Sequence, residues 1–324
     1  MLLNKRYQVM TEVIHSANEY EDLLGQWSDL ESGLGIILSS PDSTQEFNHR
    51  VVQYDRWMQG LMNRDPDVGL YLLFQLAGNS PVGYSASHAL VCATLCHVVA
   101  KELGTSHKER DSLVHAALTM NIAMTQLQDE LANQVEKPTP AQQDMIRAHT
   151  IKGSMMLSNL GIADELWLDI VSCHHDESFA KADYRLVPPP MRLARILKVV
   201  DRYAAMISPR MSRAGRSATE SARAIMANTS AKTDEVAHAM VRAVGLCPPG
   251  TFVRMDSGDL GVVVRRSGAL NQPYVAIVGK PDGEILSMPR LHRTSNGSPR
   301  IRTALAAATV HANLNHFHIL QLTA

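Results

Sequence analysis

Apolar residues recur at every third or fourth position through most of the chain, which is the spacing of a helix with one buried face. The pattern predicts an N-terminal helical region over residues 1–75, and it continues from Val68 to about Gly245. Glycines at 104, 161 and 245 stand where three of these patterns end, as helix caps do. The predicted helices are Tyr7–Leu34, Ser43–Asn63, Ser87–Leu103, Lys108–Leu131, Thr139 to about Leu160, Asp164–His175, Pro190–Ile207 and Ser217–Val244.

The pattern changes after Cys247-Pro-Pro-Gly250. Three short runs rich in β-branched residues follow, at Thr251–Met255, Leu260–Arg265 and Pro273–Val278, with turn residues between them. They predict a small antiparallel sheet or barrel. We therefore divide the chain into an N-terminal helical region (1–75), a helical domain (76–246), a β subdomain (247–293) and a basic, weakly helical tail (294–324).

Composition supports a mainly α fold, a helical bundle with a small β addition, because 45% of residues are hydrophobic and only 5% aromatic. The net charge of −1 gives no global field for a nucleic-acid polymer or a membrane. Four cysteines in 324 residues are too few for a disulfide framework. The chain lacks an apolar run of membrane-spanning length and an apolar segment at its start. We expect a soluble, cytoplasmic protein without a membrane partner.

Candidate chemistry centres on His174-His175, which closes an apolar helical run. His149 falls on the apolar stripe of its helix, His88 heads another apolar helix, and Asp201 faces inward on a third. Neutral imidazole binds divalent cations well, and a buried carboxylate usually has a cation or donor nearby. Alone, each residue is more often an ordinary core residue. Together, on successive helices of a bundle, they are candidate metal ligands.

Other patterns have weaker functional interpretations. The four-residue spacing of His88, Cys92 and Cys96 is compatible with zinc, although buried cysteines at helical spacing more often pack a core. The basic stretch Arg290–Arg302, with His292, lacks the aromatic residues of a nucleic-acid surface, so we expect a solvated tail. The stretch from Arg185 to Arg223 contains nine basic residues and only two acidic ones, an excess of positive charge that would attract a phosphorylated ligand.

The order of motifs resembles that of the HD-GYP phosphodiesterases from Tyr84 to Met211. The shared motifs are His88, Ala116-Ala-Leu118, Lys137-Pro-Thr-Pro140, His149, His174-His175 and Val199-Val-Asp201. The segment Pro249–Gly258 is similar to an extension that often follows such domains. The resemblance implies an HD-domain-like helical bundle with two or three metal ions, usually iron or manganese. It also implies hydrolysis of cyclic di-GMP to the linear dinucleotide or GMP.

Matched by position, the resemblance implies that His149, His174 and His175 hold one metal ion and that Asp201 belongs to a neighbouring metal site. His88 matches a ligand on the first helix of the family. Arg210 matches a family arginine near the phosphate. Arg202, which follows Asp201, is a second candidate for phosphate binding.

The chain departs from the family pattern at several of these positions. Met120 and Asn121 stand where the family has its His-Asp pair, and Met124 replaces a lysine. Tyr84 stands where members with three metal ions have glutamate. The Gly-Tyr-Pro loop is absent, and Phe179–Tyr184 takes its place.

Two-metal hydrolysis requires ions about 3.5–4 Å apart, and a bridging carboxylate offsets their repulsion where an amide cannot. Losing one electrostatic partner of a transition state typically costs about 10²–10³ in rate. Our leading hypothesis is a degenerate HD-GYP-like signalling protein, impaired in cyclic di-GMP hydrolysis, that acts as a regulatory or binding module and retains at most one Fe or Mn ion.

Two alternatives stay open at this point. One is an active metal-dependent phosphohydrolase acting on cyclic di-GMP or another phosphoester, and the other is a structural scaffold that binds nothing. The candidate partners are a cyclic dinucleotide or another phosphorylated nucleotide, a signalling protein and a second copy of the chain. For residues 1–75 a sensor, dimerisation or packing element is expected.

Overall fold

The computed structural model describes residues 17–79, 82–178, 182–227, 235–268, 272–310 and 312–323. These residues form a helical bundle followed by one antiparallel sheet and a short C-terminal helix. Among them no helix is both long enough and apolar enough to cross a membrane. The helices are α1 (Ala17–Ser39), α2 (Phe47–Arg64), α3 (Pro66–Asn79), α4 (Tyr84–Glu102), α5 (His107–Thr119), α6 (Thr125–Asn133), α7 (Pro140–Asn159), α8 (Glu165–Cys173), α9 (Pro189–Ile207), α10 (Ala218–Ala227), α11 (Glu235–Val244) and α12 (His316–Gln321).

Helix α4 is the centre of the bundle. It packs against α1, α3, α5, α9 and α11. Residues from Ser85 to Ala100 are buried on nearly every face of it, as expected for a helix surrounded by others. His88 lies near the N-terminal end of α4, so this candidate ligand is buried on the central helix of the bundle.

Two predicted helix boundaries have clear physical causes. At the start of α7 the Thr139 hydroxyl accepts the Gln142 N–H, and the Gln142 side chain accepts the Thr139 N–H, which together form a capping box. Between α7 and α8, Gly161 adopts a left-handed φ of +83°, and the Asp164 carboxylate then caps α8 by accepting two backbone N–H groups.

The single helix predicted over Lys108–Leu131 was wrong, because the structure divides it into α5 and α6. The break is a 3₁₀ turn at Ile122–Met124, entered through Asn121, whose carbonyl accepts the Met124 N–H at 2.8 Å. Apolar side chains are buried on both sides of the turn, so the helical period runs through it unchanged. For that reason the hydrophobic pattern could not reveal the break.

Some helix predictions extend beyond the described residues. The beginning of the helix predicted at Tyr7 lies outside them. The helix predicted over Ser217–Val244 is present as α10 and α11, and residues 228–234 between the two lie outside the described part. The helix predicted to end at Leu34 continues to Ser39, and the remaining predicted helices are confirmed within about four residues at each end.

The sheet contains β1 (Phe252–Met255), β2 (Leu260–Arg265), β3 (Tyr274–Gly279), β4 (Ile285–Arg293) and β5 (Ile301–Leu305), in the order β4-β3-β2-β1-β5. The first three were predicted. The solvated tail expected over Arg290–Arg302 was wrong, since the stretch begins within β4 and ends within β5, the two edge strands of the sheet. Their exposed, charged side chains hide the strand pattern, as is common at edges.

The sheet is attached to α3. Gly250, at a φ of +89°, lies so close to this helix that an added Cβ would meet the Tyr71 carbonyl oxygen at 2.7 Å. The Gln75 side chain donates to the Gly250 carbonyl at 2.8 Å. Two ion pairs join the same surfaces, Arg265–Asp65 at 2.7 Å and Arg266–Asp67 at 2.5 Å.

We expect Gly250→Ala to destabilise the protein more than Gly283→Ala. Both glycines have positive φ, which costs an alanine about 1–2 kcal/mol, but only at Gly250 would the new methyl meet other atoms. The clash adds about 1–3 kcal/mol. Urea unfolding followed by circular dichroism measures the difference, and equal losses for the two variants would show that the sheet can shift away from α3 without cost.

Candidate metal centre

Three histidines from the α7–α8 hairpin meet in the bundle. His149 and His174 are each 1% exposed, whereas His175 is exposed. The ring centroid of His149 lies 5.2 Å from the centroid of His174 and 5.2 Å from that of His175. The centroids of His174 and His175 are 4.2 Å apart. One nitrogen from each ring lies within 4.8 Å of the others. We call this group the histidine cluster.

Backbone carbonyls fix the orientation of two of these rings. His174 Nδ1 donates to the Val171 carbonyl at 2.8 Å, and His149 Nδ1 donates to the Ile146 carbonyl. A carbonyl oxygen only accepts, so the proton of each neutral ring resides on Nδ1 and the lone pair on Nε2. The two Nε2 atoms then face each other at 3.3 Å.

The histidines are held in the neutral form. Burial lowers the pKa of His174 to about 3, and the neighbouring His175 lowers it further than Asp201 raises it. Burial also lowers the pKa values of His149 and His175. At neutral pH the cluster therefore presents uncharged imidazole nitrogens, which is the form that binds metal.

The donor set fits one divalent ion. Two lone pairs at 3.3 Å without a proton between them repel each other, and a cation between them removes that repulsion. Nitrogens that each lie about 2.1 Å from a shared ion, at an angle near 100°, are about 3.2 Å apart. Imidazole nitrogens suit iron and zinc, and no ligand in the cluster is specific to one metal.

A second group lies across from the cluster and joins α4 to α9. The Nε2–H of His88 donates to Asp201 Oδ1 at 2.8 Å, and Cys92 Sγ is 3.6 Å from the same nitrogen. Burial raises the pKa of Asp201, but the hydrogen bond from His88 and the nearby histidines outweigh it and hold the pKa at about 2. The charge of Asp201 in turn raises the pKa of each cluster histidine. Asp201 therefore belongs to the second group and also acts electrostatically on the histidine cluster.

The zinc interpretation of His88, Cys92 and Cys96 receives no support from this geometry. Within the described residues, the metal-capable group at this place combines His88 and Cys92 with Asp201, and Cys96 is not part of it. Both cysteines are completely buried, and burial raises their pKa values well above the usual range. Sequence reasoning did not pair Cys92 with Asp201, because that contact joins two helices distant in the chain.

Arg210 reaches the second group through Tyr84. The Tyr84 ring stacks on His88 with centroids 5.4 Å apart, and the Arg210 guanidinium lies 4.6 Å from the Tyr84 centroid. Arg210 also donates to the Tyr84 hydroxyl at 2.8 Å. Its backbone is fixed by a two-way hydrogen bond with Arg213. Arg210 thus brings a positive charge to the edge of the site.

Arg202 lies elsewhere. It is exposed and contributes, after Lys198, to lowering the pKa of Glu177 on the surface. Its selection as a phosphate ligand came from its place beside Asp201, but neighbours on a helix point about 100° apart. The replaced loop cannot be compared in full, since residues 179–181 lie outside the described part.

Three of the departures from the family pattern, Met120, Asn121 and Met124, lie in and beside the 3₁₀ turn between α5 and α6. This turn packs against α7, the helix of His149. Met120 is buried, and Asn121 and Met124 are half-buried. Gly153 on α7 lies next to this turn, and an added Cβ would be at ordinary van der Waals distance, 3.6 Å, from the Met120 carbonyl oxygen. The turn therefore packs against α7, the helix that supplies His149 to the histidine cluster.

Comparison with known proteins agrees with this architecture. The HD domain family model matches residues 72–235, which is about half of the chain. The chain therefore belongs to the HD domain family. A curated relative, the cyclic di-GMP phosphodiesterase PA4108 of Pseudomonas aeruginosa, is 29% identical over 205 residues. The alignment covers 60% of this chain and 48% of that protein, so the chain spans about half the length of its relative.

A solved structure is similar in fold. Bd1817, an HDG"Y"P protein from Bdellovibrio bacteriovorus, superposes with a TM-score of 0.52 at 12% identity, covering 72% of this chain and 73% of that one. Within the HD domain family the chain is thus HD-GYP-like, and the predicted fold class, a helical HD-like bundle with an antiparallel sheet, is confirmed. Metal dependence is a property of such phosphodiesterases. The roles of individual residues stay predictions.

We expect the metal-free protein to lose stability as the pH falls below 6.5. Unfolded His174 takes up a proton below that pH, whereas the folded residue stays neutral down to about pH 3. The unfolded state then binds more protons, and the free energy of unfolding falls by about 1.4 kcal/mol per pH unit for this group. Urea titrations of chelator-treated protein at several pH values measure the slope.

The matched variants are His174→Gln and His318→Gln. The first removes one buried titrating group, so its stability should depend less steeply on pH between 6.5 and 5. The second changes an exposed histidine and should keep the wild-type slope. If His174→Gln also keeps that slope, the ring is protonated in the folded protein and the account of its neutral form is wrong.

Proposed function

We propose that this protein is a degenerate HD-GYP-like signalling module that binds a cyclic dinucleotide, retains one Fe or Mn ion and is impaired in hydrolysis. The ligand class is suggested by the named activity of the Pseudomonas relative. The observation that carries the proposal is the contrast between a well-formed donor set of three histidines and a neighbouring position where Met120 and Asn121 replace the His-Asp pair.

One ion is better supported than two. His149, His174 and His175 would hold it through ring nitrogens. The Nε2–H of His88 donates a hydrogen bond to Asp201, so this nitrogen has no lone pair to offer a second ion. Asn121 offers a neutral amide where two cations would need a bridging carboxylate.

The side chains around the site favour binding over turnover. A bound ion would supply Lewis-acid charge to a phosphoryl oxygen. Arg210 would donate to phosphate, while Met124 cannot supply the charge of the family lysine. Asp201, with a pKa of about 2, is a weak proton acceptor at neutral pH. The site thus offers attraction for a phosphodiester without a strong base near it.

A one-metal phosphohydrolase is the second candidate, and the histidine cluster itself favours it. It would act on cyclic di-GMP or another phosphoester with Asp201 as the remaining carboxylate. The two candidates differ in rate. Both differ from a structural scaffold, which would bind neither metal nor nucleotide.

We expect the anaerobically purified protein to contain about one equivalent of metal, because one cluster of donors is intact. His174→Ala should lose most of it, and His318→Ala, which changes an exposed ring, should keep it. Elemental analysis by mass spectrometry gives the stoichiometry. Less than about a tenth of an equivalent in the wild type would contradict the one-ion site, and about two equivalents would contradict its degeneracy.

We also expect the double variant Met120→His/Asn121→Asp to gain a second metal ion and faster cyclic di-GMP hydrolysis. Restoring one lost electrostatic partner typically recovers about 10²–10³ in rate. Chromatographic detection of the linear product compares the variants, with Met120→Leu/Asn121→Leu as a control that adds no ligand. Wild-type turnover at least equal to that of the double variant would show that the natural residues are not a catalytic defect.

A further inference from the structure

A cavity lies between the helical bundle and the sheet, and no residue of the histidine cluster lines it. Its volume is about 370 Å³, within the range of about 300–1,000 Å³ that is common for small-molecule sites. Its walls come from the start of α10, the end of α11, the residues after β2 and the strand β5. Four arginines line it, at positions 223, 242, 266 and 302. We call it the arginine cavity.

Two of the four arginines are engaged with acids outside the cavity. Arg242 pairs with Glu102 at 2.7 Å, and Arg266 pairs with Asp67 at 2.5 Å. The side chains of Arg223 and Arg302 are exposed and make no hydrogen bond within the described part of the chain, and Arg223 interacts electrostatically with Glu220. Their guanidinium groups are therefore available to an anion.

The acid that lines the cavity offsets only part of this charge, since one carboxylate stands against four arginines. Glu220 is held at the N-terminus of α10, where its carboxylate accepts the Ser217 N–H at 3.0 Å and the Ser217 hydroxyl at 2.8 Å. This capping position offsets part of its negative charge through the helix dipole. The cavity keeps an excess of positive charge.

The remaining walls of the cavity are partly apolar. Leu246, Pro273, Ile301 and Ala304 give an apolar surface beside the arginines. An apolar surface with a few charged groups at one side is typical of sites for small organic anions. Guanidinium groups bind phosphate through paired, charge-assisted hydrogen bonds.

We propose that the arginine cavity binds a small phosphorylated molecule, with Arg223 and Arg302 as the residues that hold the phosphate. The site is independent of the histidine cluster and of the proposed function. Its position between the bundle and the sheet means that a ligand would contact both parts of the chain.

Calorimetric titration with inorganic pyrophosphate tests the proposal on the purified full chain. We expect saturable binding that Arg223→Gln and Arg302→Gln each weaken about tenfold or more, since each removes a charge-assisted contact. Arg290→Gln is the matched control, because this exposed arginine lies on β4, at the opposite edge of the sheet from β5. It should leave the affinity unchanged.

Thiol labelling gives an independent readout of where pyrophosphate binds. Cys247 lines the arginine cavity, and Cys173 precedes His174 of the histidine cluster. Peptide mass spectrometry after alkylation should show that pyrophosphate slows labelling at Cys247 and leaves Cys173 unaffected.

Three results would overturn the proposal. The first is the absence of saturable binding. The second is binding that the two arginine variants leave intact. The third is protection of Cys173 in place of Cys247, together with loss of binding in His174→Ala, which would assign pyrophosphate to the histidine cluster. None of these results would by itself decide whether the protein retains one metal ion, so failure here is distinguishable from failure of the proposed function.

Discussion

Two side-chain-to-backbone hydrogen bonds determine what this site can do. By donating Nδ1–H to the carbonyls of Ile146 and Val171, His149 and His174 turn their Nε2 lone pairs toward each other inside the bundle. Such an arrangement is unfavourable without a cation, because two lone pairs then face each other out of water. The helices α7 and α8 impose it nonetheless, since the Gly161 turn and the Asp164 cap fix how they meet. The packing of the bundle thus holds the two Nε2 lone pairs in an unfavourable contact, and a metal ion bound between them would make it favourable.

Asp201 links this cluster to the rest of the interior. Its carboxylate is partly buried and would be costly alone, but the hydrogen bond from His88 keeps it ionised. The same bond commits His88 as a donor. A second consequence is electrostatic, because the negative charge lies close enough to act on all three cluster histidines.

Much of this could be predicted from the sequence. The helical period predicted most of the helices, and the glycines at 104, 161 and 245 predicted where three of them end. Inward-facing polar residues on apolar helices pointed to His149, His174 and Asp201. What the pattern missed has physical causes. The turn at Ile122–Met124 is apolar on both sides, so nothing in the pattern marks it. β4 and β5 are edge strands whose exposed residues do not alternate clearly. The pairing of Cys92 with Asp201 depends on how α4 and α9 cross, which spacing alone does not contain.

The helix α9 connects the two sites discussed here. It carries Asp201, and its last turn leads through the Arg210–Arg213 bridge to α10, which packs back against it and forms one wall of the arginine cavity. Arg216 holds this connection by donating its backbone N–H to the Met206 carbonyl. One continuous run of backbone therefore joins Asp201 on α9 to the wall of the arginine cavity on α10, and Arg210 lies between them in the chain.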